Sequence, residues 1–126
     1  MEIDKIDHLV LTVRNIEETL QFYKDVLGME SVTFGEGRTA LKFGDQKLNL
    51  HELGNEFEPR AIKPTPGAID ICFTTQIPLK EAMEHVENCG IKIIEGPVNR
   101  TGANGSLLSF YFRDPSENLI EVANEV

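Results

Sequence analysis

Three side chains of metal-ligating type stand at matching places in the two halves of this sequence: His8, Asp70 and Glu121. Glu121 lies in the run Leu119-Ile120-Glu121-Val122. Strand alternation puts Ile120 and Val122 on one face and Leu119, Glu121 and Ala123 on the other. A carboxylate on an otherwise apolar face needs a cation, a donor cluster or water. Asp70 lies between Ile69 and Ile71, which argues against full exposure. His8 alone reads more often as a hydrogen-bonded structural group than as a ligand. Taken together, one imidazole and two carboxylates suit a hard or borderline divalent ion: Mn²⁺, Fe²⁺, Ni²⁺, Co²⁺ or Zn²⁺. The set differs from the two-His, one-carboxylate triad of non-haem iron oxygenases, which counts against O₂ chemistry.

Further polar residues belong near such a site. His51 follows Asn49 on one face of a strand, where it is a fourth ligand, a general base or a plain pocket wall. Cys72 reads as a small buried hydrophobe, since no basic residue is near in sequence to activate it. Arg100, in the run Gly96-Pro97-Val98-Asn99-Arg100-Thr101-Gly102-Ala103-Asn104-Gly105, belongs either to a mobile lid that carries a cation to an anionic substrate or to a connecting loop. Tyr111 alternates with Phe110 and Phe112 and points into the cavity or out of it.

The elements that must position these residues repeat. Ile6 to Val13 alternates as a strand, with Leu9, Leu11 and Val13 on one face and His8, Val10 and Thr12 on the other. Asn15 with Glu18 three residues later is a helix start. Ile16, Leu20, Tyr23 and Leu27 keep helical spacing, and Gly28 ends the helix. Strands follow at 30–34, 39–43 and 47–51. Residues 54–67 hold Gly54, Pro59, Pro64, Pro66 and Gly67 without periodicity and read as a linker. The order then returns: a strand at 68–74, a helix opened by Pro78 and closed by Gly90, and strands at 92–95, 107–112 and 118–123. Module one is thus 4–53 and module two 68–126, within one domain. The predicted class is α+β: two βαβββ modules whose strands join into one curved eight-stranded mixed sheet, with the helices outside. His8, Asn49, His51, Asp70, Cys72 and Glu121 would line its inner face.

Composition narrows the partners. The 126 residues carry twelve basic and twenty-one acidic side chains, a net charge of −9. Nucleic acid and anionic membranes need clustered Lys and Arg, so neither is an expected partner. Two cysteines without CxxC spacing make neither a zinc ribbon nor a disulfide framework. The N-terminal residues lack a signal-peptide core, and the expected location is the cytoplasm.

Asp7-His8-Leu9-Val10-Leu11-Thr12-Val13, Phe22-Tyr23-Lys24-Asp25-Val26-Leu27-Gly28-Met29 and Asp114-Pro115-Ser116-Glu117-Asn118-Leu119-Ile120-Glu121 resemble segments of the vicinal oxygen chelate superfamily. That superfamily takes in glyoxalases, bleomycin- and fosfomycin-resistance proteins and extradiol dioxygenases. A closer resemblance, to glyoxalase domain-containing protein 5 and its bacterial relatives, rests on residues 43–52, 56–59 and 95–103. The resemblance implies a divalent ion held by His8 and Glu121, with Asp70 where many members have histidine. Asn49 stands where glyoxalase I has its glutamate base, which weakens the case for that reaction. It also implies a homodimer that completes its site across subunits. The expected function is metal-dependent lyase, isomerase or dioxygenase chemistry on a small oxygen-rich substrate, with His51 and Glu121 as catalytic residues and Asn49, Cys72, Arg100 and Tyr111 around the substrate. The alternative is a small-molecule binding or sequestering protein without turnover.

Overall fold

Each half of the chain pairs its strands within itself. The computed structural model describes residues 1–126, and they divide into two compact units, Met1–Pro66 and Gly67–Val126. The first contains β1 (His8–Val13), α1 (Ile16–Leu27), β2 (Glu30–Phe34), β3 (Arg38–Phe43) and β4 (Gln46–Glu52). Its sheet runs in the order β1-β4-β3-β2, with β1 parallel to β4 and the other pairs antiparallel. The second contains β5 (Asp70–Thr74), α2 (Leu79–Asn88), β6 (Glu95–Thr101), β7 (Ser106–Arg113) and β8 (Leu119–Glu125). Its order, β5-β8-β7-β6, repeats the first.

The α+β class and the duplicated βαβββ order are as read from sequence. The single eight-stranded sheet is not: there are two four-stranded sheets. In each unit the first strand pairs with the last strand of the same unit, β1 with β4 and β5 with β8. A repeat in sequence fixes the unit, and the ladder closes inside that unit.

Helix α1 begins as its sequence dictates. The Asn15 side chain accepts from the Glu18 amide at 2.8 Å, which satisfies one of the orphan donors of the first turn. Gly28 ends the helix at φ 66°, a left-handed conformation that costs glycine nothing. Its buried stripe is Thr19, Tyr23 and Val26, rotated from the expected Ile16, Leu20, Tyr23 and Leu27. Thr19 tolerates burial because its hydroxyl donates to the Asn15 carbonyl at 2.7 Å. Under α1 lie Leu11, Val13, Leu41, Leu48 and Leu50, all buried and all on one sheet face by register.

In the second unit Phe110, Phe112, Ile120 and Val122 form the corresponding core face beneath α2. Pro78 supplies no side-chain cap to α2. Asn124 on β8 does so instead, accepting from the Leu79 amide at 2.8 Å and donating to the carbonyls of Thr75 and Ile77, each at 2.9 Å.

Two readings of the chain are corrected. Residues 92–95 were expected as a strand and 96–105 as a loop, but β6 runs Glu95–Thr101, straight through Gly96-Pro97. It is the edge strand of its sheet, where a missing N–H is tolerated, and the register slips between Glu95 and Val98. The stretch read as a linker has no strand or helix, yet it packs on the first unit. The Phe57 ring lies edge-on to His51, with centroids 5.7 Å apart, and the Arg38 guanidinium sits 4.5 Å above it.

Candidate functional site

The two sheets each leave one face free of a helix, and the candidate residues stand on those faces. In the second unit Glu121 on β8 lies directly opposite Cys72 on β5 and Tyr111 on β7. Opposed residues share a face, so Tyr111 points the same way as Glu121. The Glu121 carboxylate acts electrostatically on both the Cys72 thiol and the Tyr111 phenol. The Arg100 Nε donates to the Tyr111 hydroxyl at 2.9 Å, its Nη2 to Glu95 at 3.0 Å and its Nη1 to the Asn99 carbonyl at 3.1 Å. Of this cluster, Cys72, Arg100 and Glu121 line a cavity of about 410 Å³. Thr74, Leu107 and Glu125 complete much of the wall.

Arg100 is therefore neither lid nor loop: it sits on β6, with its cation facing Glu95 and Tyr111. Burial, opposed by the Arg100 hydrogen bond and reinforced by the Glu121 carboxylate, holds the Tyr111 phenol above its ordinary value. Asp70 shares the face of Glu121, opposite Leu119, but it is exposed, against expectation. Its strand is an edge strand, so flanking isoleucines do not enclose it.

Cys72 is also exposed, not a buried hydrophobe. Desolvation of the sulfur, then the charge of Glu121, push the thiol up to about 11 from 9.0. The thiolate is the nucleophile. Alkylation of Cys72 by iodoacetamide at pH 8 is thus expected to be slow for an exposed thiol. It should rise roughly tenfold per pH unit through the alkaline range and should accelerate in Glu121→Gln. Peptide mass spectrometry reads the rates, and equal rates in wild type and Glu121→Gln would contradict this assignment.

In the first unit His8, Val10 and Thr12 share the free face with Asn49 and His51, as the alternation predicts. The His8 ring is exposed, and its Nδ1 stands 2.8 Å from an Asp7 carboxylate oxygen. That contact holds the Asp7 carboxyl below its ordinary value and leaves the His8 Nε2 directed elsewhere. A carboxylate fixing one ring nitrogen while the other ligates is a recurring arrangement at metal centres. Sequence reading passed over Asp7, although the Asp-His doublet was its signal. His51 is buried against Phe57 and lines a cavity of about 250 Å³ with Val10, Thr12, Arg60 and residues of the 59–64 stretch. Phe57 and Arg60 were missed because their stretch read as linker. The Asn49 Oδ1 is buried without a hydrogen-bond partner.

His8 and His51 belong to the first unit; Asp70, Cys72, Arg100, Tyr111 and Glu121 belong to the second. Nowhere in the chain do three His, Cys, Asp or Glu side chains gather as a metal-holding group. Each unit instead offers part of a donor set: an Asp7-oriented imidazole in one, and two carboxylates on one sheet face in the other.

Residues 5–122 match the family model described as Glyoxalase/Bleomycin resistance protein/Dioxygenase superfamily. The chain is 53% identical to Virulence protein STM3117 of Salmonella typhimurium, over all of this chain and 88% of that protein. It is 48% identical to Glyoxalase domain-containing protein RDO1 of Mycosarcoma maydis, over 98% of this chain and 70% of that protein. Among solved structures, a protein from the mobile metagenome of V. Pseudocholerae superposes with a TM-score of 0.98 at 59% identity, covering 100% of this chain and 98% of that one. Lactoylglutathione lyase from Agrobacterium tumefaciens superposes at 0.75 with 26% identity, covering 98% and 96%. The antibiotic binding protein TnmS3 from Streptomyces shares the fold, at 0.78 and 19% identity over 100% and 99%.

Proposed function

Because the chain belongs to the Glyoxalase/Bleomycin resistance protein/Dioxygenase superfamily, we propose that it is a metal-dependent enzyme acting on a small oxygen-rich substrate, of lyase, isomerase or dioxygenase type. The observation that carries this reading is the setting of Glu121. It is a mid-strand carboxylate lining a 410 Å³ cavity, with Cys72 and Tyr111 opposite it on the neighbouring strands. A purely structural acid has no need of a cavity. The likeness to lactoylglutathione lyase supports an enzyme.

His8, Asp70 and Glu121 are the proposed ligands of a divalent ion, one of Mn²⁺, Fe²⁺, Co²⁺, Ni²⁺ or Zn²⁺. When bound, such an ion would polarise a substrate carbonyl or hold two neighbouring oxygens. The chain's own residues prepare the site. Asp7 fixes the tautomer and direction of His8. Tyr111 and Cys72 flank Glu121 on one sheet face, and Arg100 braces Tyr111. His51 is the proposed proton-moving group. One chain gathers no three-donor group, so this proposal requires a second copy and hence a homodimer. Two free cysteines support a reducing compartment, the cytoplasm. The alternative, binding without turnover, is favoured by that same incomplete donor set within one chain.

Metal content decides between them. After incubation with each of the five ions and desalting, wild type is expected to retain a stoichiometric amount of at least one. His8→Ala and Glu121→Gln should retain almost none. Asp7→Asn should bind roughly 10–100-fold more weakly, the usual cost of losing an orienting partner. Equal ion content in wild type and His8→Ala would overturn the ligand set.

A further inference from the structure

We propose that His85 and Cys89, at the end of α2, form a two-ligand site for a thiophilic divalent ion of the Zn²⁺ class. The site is separate from the sheet faces that carry His8 and Glu121.

The helix sets the pair. Side chains four residues apart lie one above the other on a helix face. The backbone keeps that spacing to the end of α2, where the Cys89 amide donates to the His85 carbonyl at 3.1 Å. Val86 is buried, whereas His85 and Cys89 are both exposed. The Cys89 Sγ lies 3.8 Å from the His85 Nε2. A tetrahedral Zn²⁺ binds sulfur at about 2.3 Å and imidazole nitrogen at about 2.0–2.1 Å, so two such donors on one ion stand about 3.5–3.6 Å apart. Closing the observed 3.8 Å by about 0.2–0.3 Å takes a small rotation of two exposed side chains.

Donor type and charge agree with that geometry. Thiolate and imidazole select Zn²⁺ and related ions over Mg²⁺ and Ca²⁺. Two histidines at the same spacing on one helix hold Zn²⁺ in metalloproteases. No third His, Cys, Asp or Glu completes the group, so water takes the remaining positions. The pair stands in the last turn of α2, and Gly90, at φ 82°, follows it directly. The helix dipole favours a cation at that end. Glu81, Glu84 and Glu87 on the same helix, in a chain of net charge −9, draw cations towards it. On binding, the Cys89 thiol gives its proton to solvent and the sulfur bonds to the ion, with no change of oxidation state. Two protein ligands hold an ion more weakly than three, so this ion washes out on desalting and leaves the metal content of the protein unaffected.

The test is a titration of the reduced full chain with Co²⁺, read by the thiolate-to-Co²⁺ charge-transfer absorption. That band requires a bond from cobalt to sulfur, and the proposed set His8, Asp70 and Glu121 contains no sulfur. Wild type is expected to show a saturable band that Zn²⁺ abolishes by displacement. Cys89→Ser should remove the band, and His85→Ala should weaken Co²⁺ binding by about tenfold or more. Cys72→Ser and His8→Ala should leave the band as it is. Positions 85 and 89 are exposed, so these variants keep the fold, which circular dichroism checks. Absence of a saturable band in wild type, a band that persists in Cys89→Ser, one that vanishes in Cys72→Ser, or unchanged affinity in His85→Ala would each overturn the proposal. Ion retained after desalting reports on His8 and Glu121 alone, so the two proposals fail separately.

Discussion

Asp114→Ala is expected to lower the stability of the second unit by about 3–5 kcal/mol. The Asp114 carboxylate is 5% exposed and accepts three hydrogen bonds: from the Ser116 amide, the Asn118 amide and the Asn118 Nδ2, each at 2.9 Å. Asn118, fully buried, then accepts from the Ile69 amide at 3.0 Å through its Oδ1. The turn between β7 and β8 is thereby tied to the residue that precedes β5. Removing the carboxylate strands several buried donors at about 1–3 kcal/mol each, not fully additive. Against a total of about 5–15 kcal/mol, that is a large fraction. Urea unfolding measures the loss, and hydrogen exchange at the amides of Ile69, Ser116 and Asn118 locates it. Asp114→Asn keeps the shape and one acceptor oxygen, so its loss should be clearly smaller. A shift below about 0.5 kcal/mol for Asp114→Ala, the size of an ordinary surface change, would show that the turn is held by something else.

Gly96→Ala should cost a similar amount for a different reason. A Cβ at position 96 would stand 2.5 Å from the Phe110 Cβ, 2.7 Å from the Phe110 Cα and 2.8 Å from the Ser109 carbonyl oxygen. Two of these are backbone atoms of a paired strand, so no side-chain rotation relieves them. The backbone at Gly96 also has φ 127°, where an L residue is strained by about 1–3 kcal/mol. Overpacking adds about 1–3 kcal/mol. The sum, about 2–6 kcal/mol, should appear as a lower urea midpoint. The same change should loosen β6 and with it the contact of Arg100 to Tyr111, read as a shift of the Tyr111 ring resonances. Wild-type stability in Gly96→Ala would mean that β6 moves away from β7 at little cost.

Both sites show why one part of this protein is legible from its chain and another is not. The duplicated βαβββ order, the faces of β1, β4, β5 and β8, and the start and end of α1 follow from local chemistry. Side-chain alternation, the Asn15 cap and the left-handed Gly28 act within a few residues. Hence alternation by itself puts His8 with His51, and Asp70 with Cys72 and Glu121, on shared sheet faces. What failed was non-local. Gly96-Pro97 has the local chemistry of a turn, and only its place on an outer strand lets it belong to β6. Residues 54–67 have the composition of a linker, and only the distant Arg38 and His51 make Phe57 an anchor. The burial of Asp70 and Cys72 was misjudged because it depends on where β5 lies in its sheet.

The residue order alone determined the repeated unit and which donors share a face, since period-two alternation is a property of a strand by itself. Tertiary structure decided that the strands form two separate sheets, and that Arg100 braces Tyr111 on a strand instead of riding on a loop. It also decided that His51 faces a cavity edged by Arg60. Each of these turns on partners far apart in the chain, whose meeting is set by the register of paired strands and by the packing of one segment on another.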